Sequence, residues 1–193
     1  MATVGFSKPY YAIYSNTGTT VKYSGGGSLG KGVELSVDLD SGEANVLYAD
    51  NAPAESASSF AGGTITITTD DLLLDAVAAI LGMTVDDVST PTGEEIVFSA
   101  DTATPYVGLG AIVKKIQNNT TVWMAVVYPK IQFQNPGVSA TTQGETIEWQ
   151  TPELTATIMR DDTAEAVWQR WATFSTEADA ETYVKNKLGP AGD

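Results

Sequence analysis

Residues 33–40 read VELSVDLD, and this octet constrains the fold more than any other stretch of the chain. Val33, Leu35, Val37 and Leu39 alternate strictly with Glu34, Ser36, Asp38 and Asp40. Successive side chains of a strand point to opposite faces, so this pattern specifies a half-buried strand and excludes an amphipathic helix. One face must find a core and the other must stay in water. The watered face carries three carboxylates with no lysine between them. Thr64–Thr68 (TITIT) repeats the alternation with threonine outside. So does Glu153–Met159, where Leu154, Ala156 and Ile158 oppose Glu153, Thr155 and Thr157.

Other segments support the same class. Tyr10–Tyr14 and Thr20–Tyr23 flank Asn16-Thr17-Gly18, a hairpin signal. Residues 24–32 are a glycine-rich connector, and 83–93 a polar one that leads to a short strand at Glu95–Ser99. Pro105–Lys115 and Thr120–Phe133 predict a long hairpin turning at Gln117-Asn118-Asn119, with Pro129 bending or interrupting its second strand. Thr146–Gln150 is expected to pair with Glu153–Met159 around Thr151-Pro152, and Glu165–Phe174 reads as a strand. Two helices are expected. One has Asp70 as N-cap, an apolar stripe of Leu73, Val77, Ile80 and Leu81, and a stop at Gly82. The other occupies 175–189, capped by Thr176 with Asp179 completing a capping box and ended by Gly189-Pro190. The expected fold is mainly β with two helices, a β-sandwich or partial barrel, in a single domain over 1–193.

Between a strand at Asn45–Tyr48 and the threonine strand lies Ala49–Gly63. It holds small and polar residues, Pro53 and one large apolar residue, Phe60. A tight hairpin needs about two to five residues, so this connection is expected to be a structureless arm that finds its partner on another molecule.

Charge and composition exclude several functions. The chain has 24 acidic and 10 basic residues, a net charge of −14. Such a chain cannot clamp duplex DNA by neutralising phosphates, and an anionic membrane surface repels it equally. It has no cysteine and no histidine, so no disulfide, thiolate site or triad is available. Gly25 and Gly30-Lys31 have the spacing of a phosphate-binding loop, but Gly32 stands where a Ser or Thr would hold magnesium, and a strand follows where a helix is needed. Asp38-x-Asp40-x-Gly42-Glu43 lacks the remaining ligands of a calcium loop. The chain is therefore expected to have no enzymatic activity, cofactor or metal. No secretion signal and no membrane span are read, which makes the sequons at Asn118 and Asn119 chance matches.

Tyr10-Tyr11-Ala12 and Leu47-Tyr48-Ala49-Asp50-Asn51-Ala52-Pro53-Ala54-Glu55 resemble the major tail protein family of long-tailed, non-contractile phages and prophages of Gram-positive bacteria. Asp70-Asp71-Leu72, Leu81-Gly82, Pro105-Tyr106-Val107-Gly108 and Trp149-Gln150-Thr151-Pro152 follow in the family's order. The resemblance runs from about Gly5 to Met159. It implies a virion tail protein, made in the host cytoplasm, whose six-membered rings stack into a tube. Sheets of neighbouring subunits would join into an inner barrel through which phage double-stranded DNA passes without specific binding. The implied partners are further copies of the chain, the tape measure protein, the tail terminator and the distal tail protein. Ala49, Asp50, Asn51, Pro53, Glu55 and Phe60 would belong to an arm reaching between rings. Glu34, Asp38, Asp40, Glu148 and Glu153 would face the lumen and repel phosphate.

Two other readings fit a β-sandwich of this composition: a single-ring tail terminator or completion protein, and an adhesion or carbohydrate-binding module. The last requires exposed aromatics, and Trp123, Trp149, Trp168 and Trp171 are the only indoles.

Overall fold

The computed structural model describes residues 2–41, 45–49, 52–57, 60–137, 142 and 151–189. The chain is mainly β, with two helices. β1 (Ala2–Thr17) and β2 (Thr20–Ser28) form the first hairpin, turning at Gly18 with a φ of 60° that suits a residue without Cβ. Both strands are longer than their alternation announces, and β2 takes in most of the expected connector. Pairing with a long neighbour, β9 (Val107–Gln117), recruits residues 2–9 into β1 although they carry no clear period. β9 and β10 (Thr120–Phe133) make the expected long hairpin, with Asn118 and Asn119 both left-handed at φ 49° and 62°.

β10 changes partner along its length. Its first half pairs with β12 (Arg170–Phe174) and its second half with β11 (Glu153–Met159). Pro129, which has no N–H to give a ladder, sits at the changeover, and the register with β9 shifts between Tyr128 and Ile131. From β11 the sheet continues through β6 (Phe60–Thr69) to β3 (Gly32–Ser41), giving the order β2-β1-β9-β10-β11-β6-β3. β11 lies between β6 and β10; the expected pairing of Thr146–Gln150 with it falls on 143–150, outside the described residues. β12 is shorter than expected. Asp161 accepts hydrogen bonds from the N–H groups of Thr163 (3.3 Å) and Val167 (2.8 Å), and so closes a turn over residues that alternation alone reads as strand from Glu165.

β2 and β3 stand at opposite ends of this order, yet only residues 29–31 connect them. The sheet must therefore fold over on itself. It makes a sandwich and not a closed barrel: among the described residues no ladder joins β2 to β3. Between the layers lie Ile65 and Ile67 of β6, Leu154 and Ile158 of β11, Leu109 of β9, and Ile131 and Phe133 of β10, all buried.

α1 (Leu74–Leu81) closes one end of this core with Val77, Ile80 and Leu81, and Gly82 ends it in the left-handed conformation. The helix begins later than expected, because Asp70 is engaged elsewhere. Its carboxylate accepts the Lys31 N–H at 2.9 Å, while its own N–H donates to the Lys31 carbonyl at 2.9 Å. The Lys31 N–H holds the Asp70 carboxyl below the usual carboxylate range. Leu73, expected in the apolar stripe, is instead the N-cap and 48% exposed.

α2 (Glu177–Lys187) is capped as its sequence reads, Thr176 Oγ1 accepting the Asp179 N–H at 3.2 Å. It docks on the outside of the β1–β9–β10 layer, where Ala180, Val184 and Leu188 meet Ala12, Ile112, Ala125 and Val127. Lys185 lies 2.8 Å from Glu181, which also pairs with Lys8 of β1. Hydrogen bonds from Lys185 and then Lys8 hold the Glu181 carboxyl down at about 2, from an ordinary 4.5. A carboxyl with a depressed folded-state pKa stabilises fully above 4.5 and loses that contribution as pH falls towards 2. The melting temperatures of the wild type and Glu181→Gln should therefore differ between pH 5 and 7 and converge as the pH is lowered from 4.5. The gap corresponds to about 0.5–1 kcal/mol, the range of half-exposed ion pairs.

Two small hairpins stand apart as separate two-stranded sheets, β4 (Asn45–Ala49) with β5 (Ala52–Ala57), and β7 (Val85–Ser89) with β8 (Thr92–Ile96). The second occupies most of what the sequence presents as a polar connector. Among the described residues no helix is long and apolar enough to cross a membrane.

Candidate functional site

α2 covers the outer face of one layer. The outer face of the other layer, built from β3, β6 and β11, is polar, and its composition follows from register. Glu34 is opposite Thr68, and Thr68 opposite Glu153. Ser36, Thr66 and Thr155 form the next row, and Asp38, Thr64 and Thr157 the one after. Asp40 faces Gly62. The inner residues of the same strands, Leu35, Val37, Ile65, Ile67, Leu154 and Ile158, pack into the core, so the alternation fixes both faces at once.

Sequence reasoning had singled out Glu34, Asp38, Asp40 and Glu153 from separate segments, and the fold brings them onto one surface. All four are exposed. Cross-strand threonine pairs, Thr64 with Thr157 and Thr66 with Thr155, fill the space between them with uncharged hydroxyls. Glu148 lies outside the described residues. Among the described residues no three acidic side chains converge closely enough to hold a metal ion. The carboxylates act as a spread field and not as a ligand set. Glu34 and Asp38 are four residues apart on β3, about 13 Å at strand rise, which exceeds the screening length of about 8 Å in physiological salt. Their mutual repulsion is therefore small, whereas Asp38 and Asp40, two residues apart and about 7 Å at strand rise, fall within that length and repel each other.

The boundary of the field is an ion pair. Lys130, next along this face of β10, lies 2.8 Å from Asp162 and over the rings of Tyr106 (4.5 Å) and Tyr14 (5.2 Å). Tyr14 donates its hydroxyl proton to Asp162 at 2.7 Å. Lys130, followed by Tyr14, draws the Asp162 carboxyl down; burial, followed by that hydrogen bond to Asp162, pushes the Tyr14 hydroxyl up to about 12. Nothing local in the sequence announces this cluster, since Tyr14 meets Asp162 across 148 positions and Lys130 meets it across 32.

The expected arm is not a structureless loop. Tyr48 is paired with Pro53 and Leu47 with Glu55 across the β4–β5 hairpin, and Ala49 closes it opposite Ala52. Asp50 and Asn51 fall between those partners, outside the described residues. With a two-residue connection the segment satisfies its own backbone, which small residues without alternation do not advertise. Phe60 belongs to β6, and its ring stacks on Trp168 at 4.5 Å and 4°. It is therefore an internal anchor at the base of the hairpin and not part of its tip. Trp123 and Trp168 are half-buried, Trp171 is 64% exposed, and Trp149 lies outside the described residues.

Compared with known protein families and with curated proteins, the chain matches no family model and no curated protein.

Proposed function

We propose that this chain is a structural virion protein that polymerises as stacked six-membered rings into the tail tube of a long-tailed, non-contractile phage, with an acidic channel for DNA passage. The observation that carries the reading is the face of β3, β6 and β11, uncovered among the described residues, where Glu34, Asp38, Asp40 and Glu153 surround paired threonines. A wall that DNA must slide along needs negative charge to repel phosphate and no exposed apolar surface to hold bases. Repeated six times, the formal charge of −14 becomes −84 per ring. The β4–β5 hairpin supports the same reading. An isolated two-stranded sheet is marginal in water, so a neighbour is its natural source of stability.

Negative-stain electron microscopy over a protein concentration series tests this. Tubes are expected above a critical concentration, and they should vanish when residues 46–57 are replaced by a short Gly-Ser linker. Tubes that survive the replacement would keep the function and remove the hairpin from it. Single rings at every concentration would indicate the terminator reading.

One observation favours an adhesion module instead. Trp171 is exposed at the rim of an open cleft, a place where a sugar ring could stack. Quenching of tryptophan fluorescence by glycans, lost in Trp171→Ala, would establish that reading.

A further inference from the structure

The two ends of the sandwich differ. In the β1–β9 ladder Ile13 pairs with Val107 at one end and Thr3 with Lys115 at the other, about 26 Å away at strand rise. α1 plugs the first end, where Gly82 lies against Ala103 and Pro105. Among the described residues the second end is open. There a cleft of about 360 Å³ is lined by Phe6, Leu39, Met124, Val126 and Trp171, with Lys115 at its rim, donating to Met124 Sδ at 2.9 Å and lying 5.5 Å from the Trp171 ring.

The plugged end carries a projection of opposite character. The β7–β8 hairpin, between α1 and Pro105, places Asp86 opposite Glu95 and Asp87 opposite Glu94, all exposed. Like charges directly across a ladder are destabilising. Val97 and Phe98 follow immediately, 59% and 54% exposed. An apolar pair framed by carboxylates at one end thus complements an apolar cleft with a lysine rim at the other.

We propose that the cleft receives Val97 and Phe98 of a second copy of this chain, the copy's β7–β8 carboxylates lying against Lys115. The inference rests on the tail-tube reading and names the ring-to-ring contact. Such a contact is heterologous: plug and socket are different surfaces at opposite ends, so it does not close on itself and propagates along one direction. The β4–β5 hairpin leaves from the end of β3, beside Leu39 at the open end, and would embrace the same neighbour.

The test uses two variants of the full chain, Phe98→Asp, which blocks the plug, and Trp171→Glu, which blocks the socket. Both positions are exposed, and unchanged circular dichroism and melting temperature verify that both variants fold. Each alone should need a roughly hundredfold higher concentration to stack, as loss of a central anchor implies. Mixed together they retain one good interface and should stop at two layers, read by sedimentation velocity and electron microscopy. If wild type and both variants all form tubes at the same concentration, the plug-and-socket contact is overturned and the tube stands. If wild type forms short head-to-tail oligomers that the variants lose, the contact stands and the tube falls. Monomers of wild type at every concentration overturn both.

Discussion

Replacing Gly110 with valine is expected to drive α2 off the sheet. A Cβ built at Gly110 would lie 2.3 Å from Val184 Cγ1 and 3.2 Å from Leu188 Cδ1. At Gly108 it would lie 2.5 Å from the Tyr23 ring and 2.6 Å from Leu188 Cδ2. The two glycines share the face of β9 on which the helix rests, so α2 sits closer than any side chain there would permit. Gly110→Ala should cost about 2 kcal/mol, because the Val184 side chain can turn away. Gly110→Val adds two more methyl groups that have nowhere to go. Its cost is bounded by undocking, which exposes Ala180, Val184 and Leu188 and amounts to about 4–6 kcal/mol. That is a large share of a domain stability of roughly 5–15 kcal/mol. The specific claim is the pairing with Val184. Val184→Ala alone should cost about 1.5 kcal/mol, yet Gly110→Ala with Val184→Ala should cost less than the sum of the singles. Urea unfolding of the four proteins measures the coupling, and strict additivity would show that the two residues do not meet. Limited proteolysis should cut Gly110→Val within α2 first.

That close approach shows what the sequence displayed and what it hid. Strands with one wet face were legible because alternation records the boundary between core and water: β3, β6 and β11 were identified from Val33–Asp40, Thr64–Thr68 and Glu153–Met159 alone. Their assembly onto one surface was not legible from alternation, because strand order depends on which strands pair. α2 was legible from Thr176, Asp179 and Gly189, whose chemistry is local. The glycines of β9 carried a signal, period-two glycine in an apolar strand, but its meaning depends on a helix seventy residues away. β4 was legible as Asn45–Tyr48 and the end of β8 in the strand read at Glu95–Ser99, but the β1 extension, β5 and β7 were not, because pairing between small or charged residues leaves no hydrophobic period. Asp70 was misassigned as a cap because Asp suits a helix N-terminus and a loop clamp equally, and only the position of Lys31 decides between them. The Lys130–Asp162–Tyr14 cluster has no local signature at all.

Reversing the charge of the polar face should convert a surface that ignores DNA into one that retains it. Glu34→Lys, Asp38→Lys and Asp40→Lys together change the formal charge by +6, from −14 to −8 per chain and from −84 to −48 per six-membered ring. All three side chains are exposed on edge strand β3, so the fold should persist with its melting temperature little changed. Wild-type tubes incubated with short linear duplex should sediment without it. Variant tubes should carry it down in low salt and release it as salt rises. If only four lysines of a ring reach phosphates, affinity should fall ~100-fold between 50 and 200 mM salt, since each neutralised phosphate contributes about 0.9 to the slope. The same number of reversals at Asp75, Asp101 and Glu165, exposed residues on other surfaces, gives the same net charge in a different place. The comparison separates position from total charge. Retention by the first variant alone is expected if the face of β3, β6 and β11 lines the channel. Equal retention by both, or by neither, would mean that the carboxylates of this face lie elsewhere than the path of the DNA.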